Sequence, residues 1–513
     1  MRKTLPFIAM IILCGMAAVL FLYSTPFGVG LTNDSSAYIG GARSLLAGKG
    51  YVRIGGDGLP RAITHFPPFY SIVLAGFSRL TGQDPLAGAK WVNLGCAVLN
   101  QAFFMITLLL LTGSAWGAVL GGVTFLCAGP VLKGQIYGLS EALYLTLFFA
   151  VLILSIRTAR DHRTGMWLLT GLLCGALVIT RYAGFAAAGA LAVFILCVLP
   201  DVKERIRSLL LFLAGLAVPL AAWLLRSGGD EGSAVNRSLS LHLPAADKVR
   251  DGIRTLAGFF LPEFGGFVEK LLPVWGVVIT AGLLVLLGAV IFTGLRAFFR
   301  PSDGLARSPY FAPALHGAAY MVMLILTVCF IDGSTLFDDR ILLPFYVCLM
   351  LLADAFCIRL SGRARLKYAA PVLMLLFAAL LLEDELDLIK EFHRNGQGLA
   401  GEEWRSSETR LAAKALPEGK LLFCNRQTAL ALLNDQPSYI LPPMFDSASF
   451  SERESFEQDK QWMDDEVLSG NAFVIVFNYR EMLEDAGDRE WLETVLEGLP
   501  LLAEYSDGVI FGK

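Results

Sequence analysis

Five polar sites interrupt an otherwise apolar chain, and their residue types set the chemistry to consider. Asp34 follows the first apolar run in "LTNDSSAYIGG", His65 sits in "THFPPFYS", and Glu141 opens another apolar run in "GLSEALYL". Arg181 and Tyr182 break two apolar runs in "VITRYAGF", and Arg340 stands in "FDDRILLPFY". A carboxylate at a membrane surface can take a proton from an acceptor hydroxyl. An arginine fork can hold a phosphate or a carboxylate through two parallel hydrogen bonds. Ionisable groups beside or inside apolar segments cost free energy, so each is expected to have a partner or a task.

Each site also has a plain structural reading. Asp34 is expected to cap a helix over 35–47, since Asp accepts from free N–H groups at a helix start. Two prolines stiffen "THFPPFYS" into a turn that holds His65 and its aromatic neighbours ahead of an interfacial helix over 69–80. Glu141 can serve the start of its helix near Ser140. Arg181 costs roughly 2.5–3.5 kcal/mol at mid-bilayer and less at the interface, so it calls for an anion, either a structural carboxylate or a ligand phosphate. Arg340, next to Asp338 and Asp339, can form a local ion pair.

The elements that must position these residues are membrane helices. Of 513 residues 55% are hydrophobic and 17% charged, and the mean hydropathy of +0.59 lies outside the range of soluble domains. A span needs roughly 20 mainly apolar residues, because its backbone polar groups find no water. Eleven spans are expected, near 5–24, 86–111, 115–132, 139–156, 166–180, 183–199, 209–225, 271–295, 311–331, 341–358 and 368–382. The first is read as a retained helix, since no clean small-residue cleavage site follows it.

Basic residues orient the spans. Arg2 and Lys3 precede the first, and alternate loops carry Arg157, Arg160 and Arg163; Lys203, Arg205 and Arg207; Arg296, Arg300 and Arg307; and Arg359, Arg363, Arg365 and Lys367. These loops read as cytoplasmic. The segment 25–85 and everything after 383 then lie outside, which puts all five sites on the extracytoplasmic side. A transmembrane domain over 1–383, with its first outer loop at 25–85, is expected to precede an extracytoplasmic α/β domain over 384–513. In that tail "KLLFCN", "PSYIL", "AFVIVFN" and "LLAEYSDGVIF" read as strands, and "SSETRLAAKAL" and "DREWLETVLEGL" as amphipathic helices.

Net charge of -3 without a basic patch excludes a nucleic-acid partner. Of nine cysteines, eight fall in apolar segments and Cys424 stands in the tail, with neither a disulfide framework nor zinc spacing.

The order of these motifs resembles a family. An outer Asp after the first span, an outer-loop "HFPPF", an acid opening the fourth span, a "TRYAG" break and an "RILLP" start to a late span are similar to the GT-C membrane glycosyltransferases. More narrowly, they resemble bacterial relatives of protein O-mannosyltransferases and lipid A aminoarabinose transferases. "HFPPF" departs from the mannosyltransferases' "HPPL" by one inserted residue and a Phe.

The resemblance implies a polytopic α-helical protein of GT-C type with a small outer α/β domain. It also implies transfer of a sugar, with inversion, from a polyprenyl-phosphate donor to a lipid, glycan or protein acceptor at the outer face of a bacterial cytoplasmic membrane. In that scheme Asp34 is the base, with Glu141 as the second catalytic candidate. His65, Arg181, Tyr182 and Arg340 bind substrate, and Arg181 stabilises the leaving phosphate. No metal or other cofactor is expected, since Asp34 has Asn33 before it and Ser36 two positions on, so no Asp-x-Asp pair forms there. Two other classes stay open: a transporter or flippase, against which stands the lack of an internal repeat, and an O-antigen ligase or polymerase. A membrane assembly factor without chemistry is a third.

Overall fold

The computed structural model describes residues 4–54, 60–227, 241, 244–261, 267–300, 308, 310–333, 335–445 and 453–513. Arg307, in one of the basic loops used for orientation, lies outside them. Two compact units emerge. The first comprises Met1–Pro26, Thr64–Val73 and Gly88–Arg394; the second comprises Phe27–Ile63, Leu74–Ala87 and Asn395–Lys513.

In chain order the helices up to the tail are α1 (Leu5–Ser24), α2 (Asn33–Leu46), α3 (Phe69–Thr81), α4 (Pro85–Thr112), α5 (Ala115–Leu126), α6 (Gly129–Ile136), α7 (Glu141–Asp161) and α8 (Met166–Val178). They continue as α9 (Gly184–Val198), α10 (Val202–Ser227), α11 (Ala246–Gly258), α12 (Phe267–Lys270), α13 (Leu272–Phe299), α14 (Phe311–Phe330), α15 (Asp339–Ser361) and α16 (Ala369–Asn395).

Every expected span falls on helix, and the protein is a polytopic α-helical membrane protein. Among the described residues seven helices are long and apolar enough to cross a bilayer singly: α1, α4, α7, α10, α13, α14 and α15. The expected span 115–132 is instead two helices, α5 and α6, bent by 66° at a short break. At 13 and 15 residues, α8 and α9 reach only about 20 Å at ~1.5 Å per residue, less than the ~30 Å hydrocarbon core.

Close helix packing places the α8–α9 break. A Cβ added at Gly171 would overlap the carbonyl oxygen of Phe212, and one at Gly215 would overlap that of Leu168. The Gly171-x-x-x-Gly175 face of α8 and Gly215 of α10 therefore let two backbones meet as only small residues allow. Side-chain amides on α4 place the start of α7. Asn93 donates to the carbonyls of Gln135 (2.9 Å) and Tyr137 (2.6 Å) and accepts from Tyr70 Oη (2.9 Å). Asn100 donates to the Ala142 carbonyl (3.1 Å) and accepts from Thr146 (2.8 Å).

Two expected boundaries shift. The membrane unit continues past 383, because α16 keeps helical spacing through "EDELDLIKEFHRN" and buries Glu385, Ile389 and Phe392 at i, i+4 and i+7. The loop expected to belong to the membrane domain groups largely with the tail. Leu31 bridges Gly398 in parallel, with the Leu31 amide on the Gln397 carbonyl (3.2 Å) and the Leu399 amide on the Leu31 carbonyl (3.0 Å). Gly398 sits at φ +56, and a Cβ there would strike the Leu31 carbonyl. Arg43 on α2 grips both oxygens of Asp84 (2.9 and 3.0 Å), Asp435 (3.1 Å) and the carbonyls of Ala431 and Leu432. A short antiparallel hairpin, β1 (Val52–Ile54) and β2 (Pro60–Ala62), completes this part of the second unit.

The tail strands are β3 (Leu421–Cys424), β4 (Tyr439–Ile440), β5 (Ala472–Phe477), β6 (Leu501–Tyr505) and β7 (Gly508–Phe511); they fall within the four expected stretches, the last of which, "LLAEYSDGVIF", turns at Ser506–Asp507 and makes two antiparallel strands instead of one. They form one mixed sheet in the order β4-β3-β5-β7-β6. β3 pairs in parallel with β4 and β5, whereas β7 runs antiparallel to β5 and β6. Alternation along the strands covers both faces: Phe423, Val474, Val476 and Val509 feed one core, and Leu422, Cys424, Ile475 and Ile510 the other. The expected helices are present as Glu408–Lys414 and Ala486–Leu496, and Phe456–Leu468 adds a third that the sequence reading did not foresee.

Candidate functional site

Three of the expected site residues meet within the first unit. Glu141 is the first residue of α7, after its N-cap Ser140. Its Oε1 accepts from both Arg181 Nη1 and Arg340 Nε. The carboxylate is buried at 4% side-chain exposure, Arg181 is at 14% and Arg340 at 34%. Glu141 Oε2 is also buried and has no hydrogen-bond partner among the described residues.

Local sequence explains the convergence. Arg181 is held in the break between α8 and α9, where the Gly184 amide donates to the Arg181 carbonyl (2.8 Å). Arg340 lies in the first turn of α15, which Asp338 caps by accepting from the Ile341 amide (2.8 Å). Asp339 pairs with Lys133 of α6 (3.1 Å). Each acid beside Arg340 thus has a further partner of its own, and Arg340 also reaches Glu141 across the helices. Lys133, which the sequence reading passed over, brings a further cation next to the start of α15.

The proline turn joins the same region. The Phe69 amide donates to the Ile179 carbonyl (3.0 Å), and Tyr182 Oη donates to the Thr64 carbonyl (3.2 Å) while accepting from Trp223 Nε1 (3.2 Å). His65, next in the chain to Thr64, is exposed and meets the Phe66 ring edge-on at 4.9 Å. "HFPPF" is therefore fastened against the residues that flank Arg181.

Asp34 belongs to the second unit. It is not the cap of α2: the helix begins at Asn33 after Thr32, whose amide donates to Ser35 Oγ (3.0 Å) in a capping box. The reason is local, since the threonine–serine pair at three-residue spacing satisfies the helix start two residues earlier than Asp34 could. Asp34 stands half-buried in the first turn, where its charge is favoured by the helix dipole. Among the described residues no group of three or more His, Cys, Asp or Glu is placed to hold a metal ion.

Chemically, two guanidiniums on one buried carboxylate leave a net positive charge, which favours an anion. Solved structures share the fold that carries this cluster. ArnT from Cupriavidus metallidurans in the apo state superposes with a TM-score of 0.58 at 15% identity, covering 98% of this chain and 97% of that one. The same protein bound to undecaprenyl phosphate gives 0.56 at 14% identity, over 98% and 97%. The archaeal oligosaccharyltransferase AglB from Archaeoglobus fulgidus, in complex with an inhibitory peptide and a dolichol-phosphate, gives 0.54 at 12% identity, over 98% of this chain and 73% of that one. The chain has the GT-C fold. No family model matches the sequence, and no curated protein does. Within the GT-C fold, the arginine–glutamate cluster sits where three helix ends and the proline turn converge.

Proposed function

We propose that this protein transfers a sugar, with inversion, from a polyprenyl-phosphate donor to a lipid, glycan or protein acceptor at the outer face of a bacterial cytoplasmic membrane. The observation that carries the reading is the convergence of Arg181 and Arg340 on Glu141 at the ends of membrane helices. An anion reaching that point from a lipid carrier meets a preorganised positive site at no cost in reorganisation. A structure of similar fold binding undecaprenyl phosphate adds support.

In the proposed step the acceptor hydroxyl gives its proton to the Asp34 carboxylate as its oxygen attacks the anomeric carbon. The bond from that carbon to the phosphate oxygen breaks, and polyprenyl phosphate leaves with the bonding pair. Arg181 and Arg340 stabilise the charge that develops on the phosphate. Glu141 holds the two arginines in register, and its unpartnered Oε2 accepts from a substrate hydroxyl. Tyr182 and His65 line the approach from the proline turn. The alternation of arginine-rich loops supports an extracytoplasmic tail, and a periplasmic reporter fused after Lys513 is the check on that side of the scheme.

The deciding experiment is mass spectrometry of lipid and glycan fractions from cells with and without the protein, paired with a donor-binding assay in nanodiscs. The expected result is one glycan or lipid lighter by a sugar in its absence, and donor binding lost in Arg181→Ala. Unchanged glycans together with wild-type donor affinity in Arg181→Ala would remove the reading.

A further inference from the structure

Glu385 of α16 is 1% exposed, and neither carboxylate oxygen has a hydrogen-bond partner among the described residues. It lines a cavity of about 20 Å³ bordered by α1, α4, α5, α6 and α16, whose other polar residues are Gln101 and Gln135. Gln101 spends one amide N–H on the Gly122 carbonyl (2.8 Å), which fixes the orientation of its amide and leaves its carbonyl oxygen with no partner. Gln135 makes no side-chain hydrogen bond among the described residues, although its backbone carbonyl is held by Asn93. Alanine, leucine, valine and phenylalanine side chains form the remaining wall.

Three buried polar side chains, one carboxylate and two amides, thus line one small space. An enclosed carboxylate without a donor costs several kcal/mol unless something neutralises it. A proton on Glu385 would be donated to one amide carbonyl, whereas a cation would be held by the carboxylate and both carbonyls together. A cavity of this size holds one water-sized guest, and an all-oxygen ligand set selects hard cations. A divalent ion would leave one positive charge uncompensated among apolar walls, and Mg²⁺ gives up its waters reluctantly. We infer that Glu385, Gln101 and Gln135 form a site for one sodium ion that ties α16 to the helices around it. This site uses none of the residues assigned to sugar transfer.

The test is thermal unfolding of the whole protein in nanodiscs, in sodium, potassium or choline chloride at equal ionic strength. The wild type should unfold at the highest temperature in sodium, with a shift that grows with the logarithm of its concentration, as for any ligand that binds only the folded state. Choline, too large for the cavity, should give none, and potassium little. Glu385→Gln should erase the difference between salts. Where Glu385→Gln fails to fold, Gln135→Leu carries the test, with an expected weakening of the sodium response by roughly tenfold in concentration. Equal unfolding temperatures in all three salts would overturn the proposal and leave a protonated carboxyl in its place. So would a full sodium response in either variant.

Discussion

Oε1 of Glu141 accepts from Arg340, 199 positions further along the chain, and from Arg181 in the break between α8 and α9. Three helix ends that are remote in sequence are held together by one oxygen atom. Removing the carboxylate would leave two cations facing each other with little water to screen them. Breaking such a pair from one side typically costs about 3–5 kcal/mol, more than replacing it whole. Glu141→Ala is therefore expected to lower the unfolding temperature strongly, and Glu141→Gln less so, because the amide oxygen still accepts. Thermal scans of the purified variants check this order; an unaltered Glu141→Ala would mean that the cluster does not hold the helix ends.

A second expectation concerns what places Arg181. Gly171 and Gly215 allow the backbones of α8 and α10 to touch, so Gly171→Leu forces the helices apart while leaving every polar residue of the site in the chain. Overpacking typically costs about 1–3 kcal/mol, and here backbone atoms, which cannot rotate away, are struck. Donor binding should fall along with stability. The control is Gly189→Leu on α9, where a Cβ meets nothing within 4 Å, and the two should separate clearly in a nanodisc binding assay.

Much of this was legible in the sequence because hydropathy and basic loops are local signals. Each apolar run became a helix, and the short, wholly apolar, β-branched stretch "AFVIVF" became a fully buried strand. Arg181 could be read as needing an anion, since a guanidinium between apolar runs is costly alone. That the anion includes Glu141 could not be read, because no spacing rule links positions on different helices. Nor could the capture of the first loop by the tail, which depends on Arg43 reaching Asp84 and Asp435 and on the close approach at Gly398. The cap of α2 was misread for a simpler reason: "TNDS" offers several capping residues in a row, and the capping box at Thr32 and Ser35 decided among them.

In the tail, Asp507 offers a pH test. Its burial acts against ionisation, but hydrogen bonds from Ser407 and from the amide and hydroxyl of Thr409 outweigh that and hold its carboxyl below the usual range. A carboxyl that is more acidic folded than unfolded contributes stability that is complete above the ordinary Asp value near 3.9, and that is lost as pH falls through the folded value. Asp507→Asn should therefore lower hydrogen-exchange protection of the β5 and β7 amides several-fold at neutral pH, and the gap from wild type should close only as the solution is acidified below the ordinary Asp range. A gap independent of pH would assign the effect to shape instead of charge.

The last expectation bears on the proposed base. Thr32 and Ser35, not Asp34, satisfy the start of α2, so Asp34→Asn leaves the capping box intact and takes away the favourable placement of a negative charge in the first helical turn, about 0.3–1 kcal/mol. Folding and membrane insertion should survive it. An amide cannot take a proton from an acceptor hydroxyl at neutral pH, and loss of a positioned base typically costs about 10²–10⁴ in rate. The variant is expected to bind the polyprenyl-phosphate sugar normally through the arginines and to transfer it at that reduced rate. Single-turnover transfer, measured beside donor binding in the same nanodiscs, separates the two effects. Turnover near the wild-type rate in well-folded Asp34→Asn would take the base role from Asp34, and the unpartnered Oε2 of Glu141 would be the next atom to test.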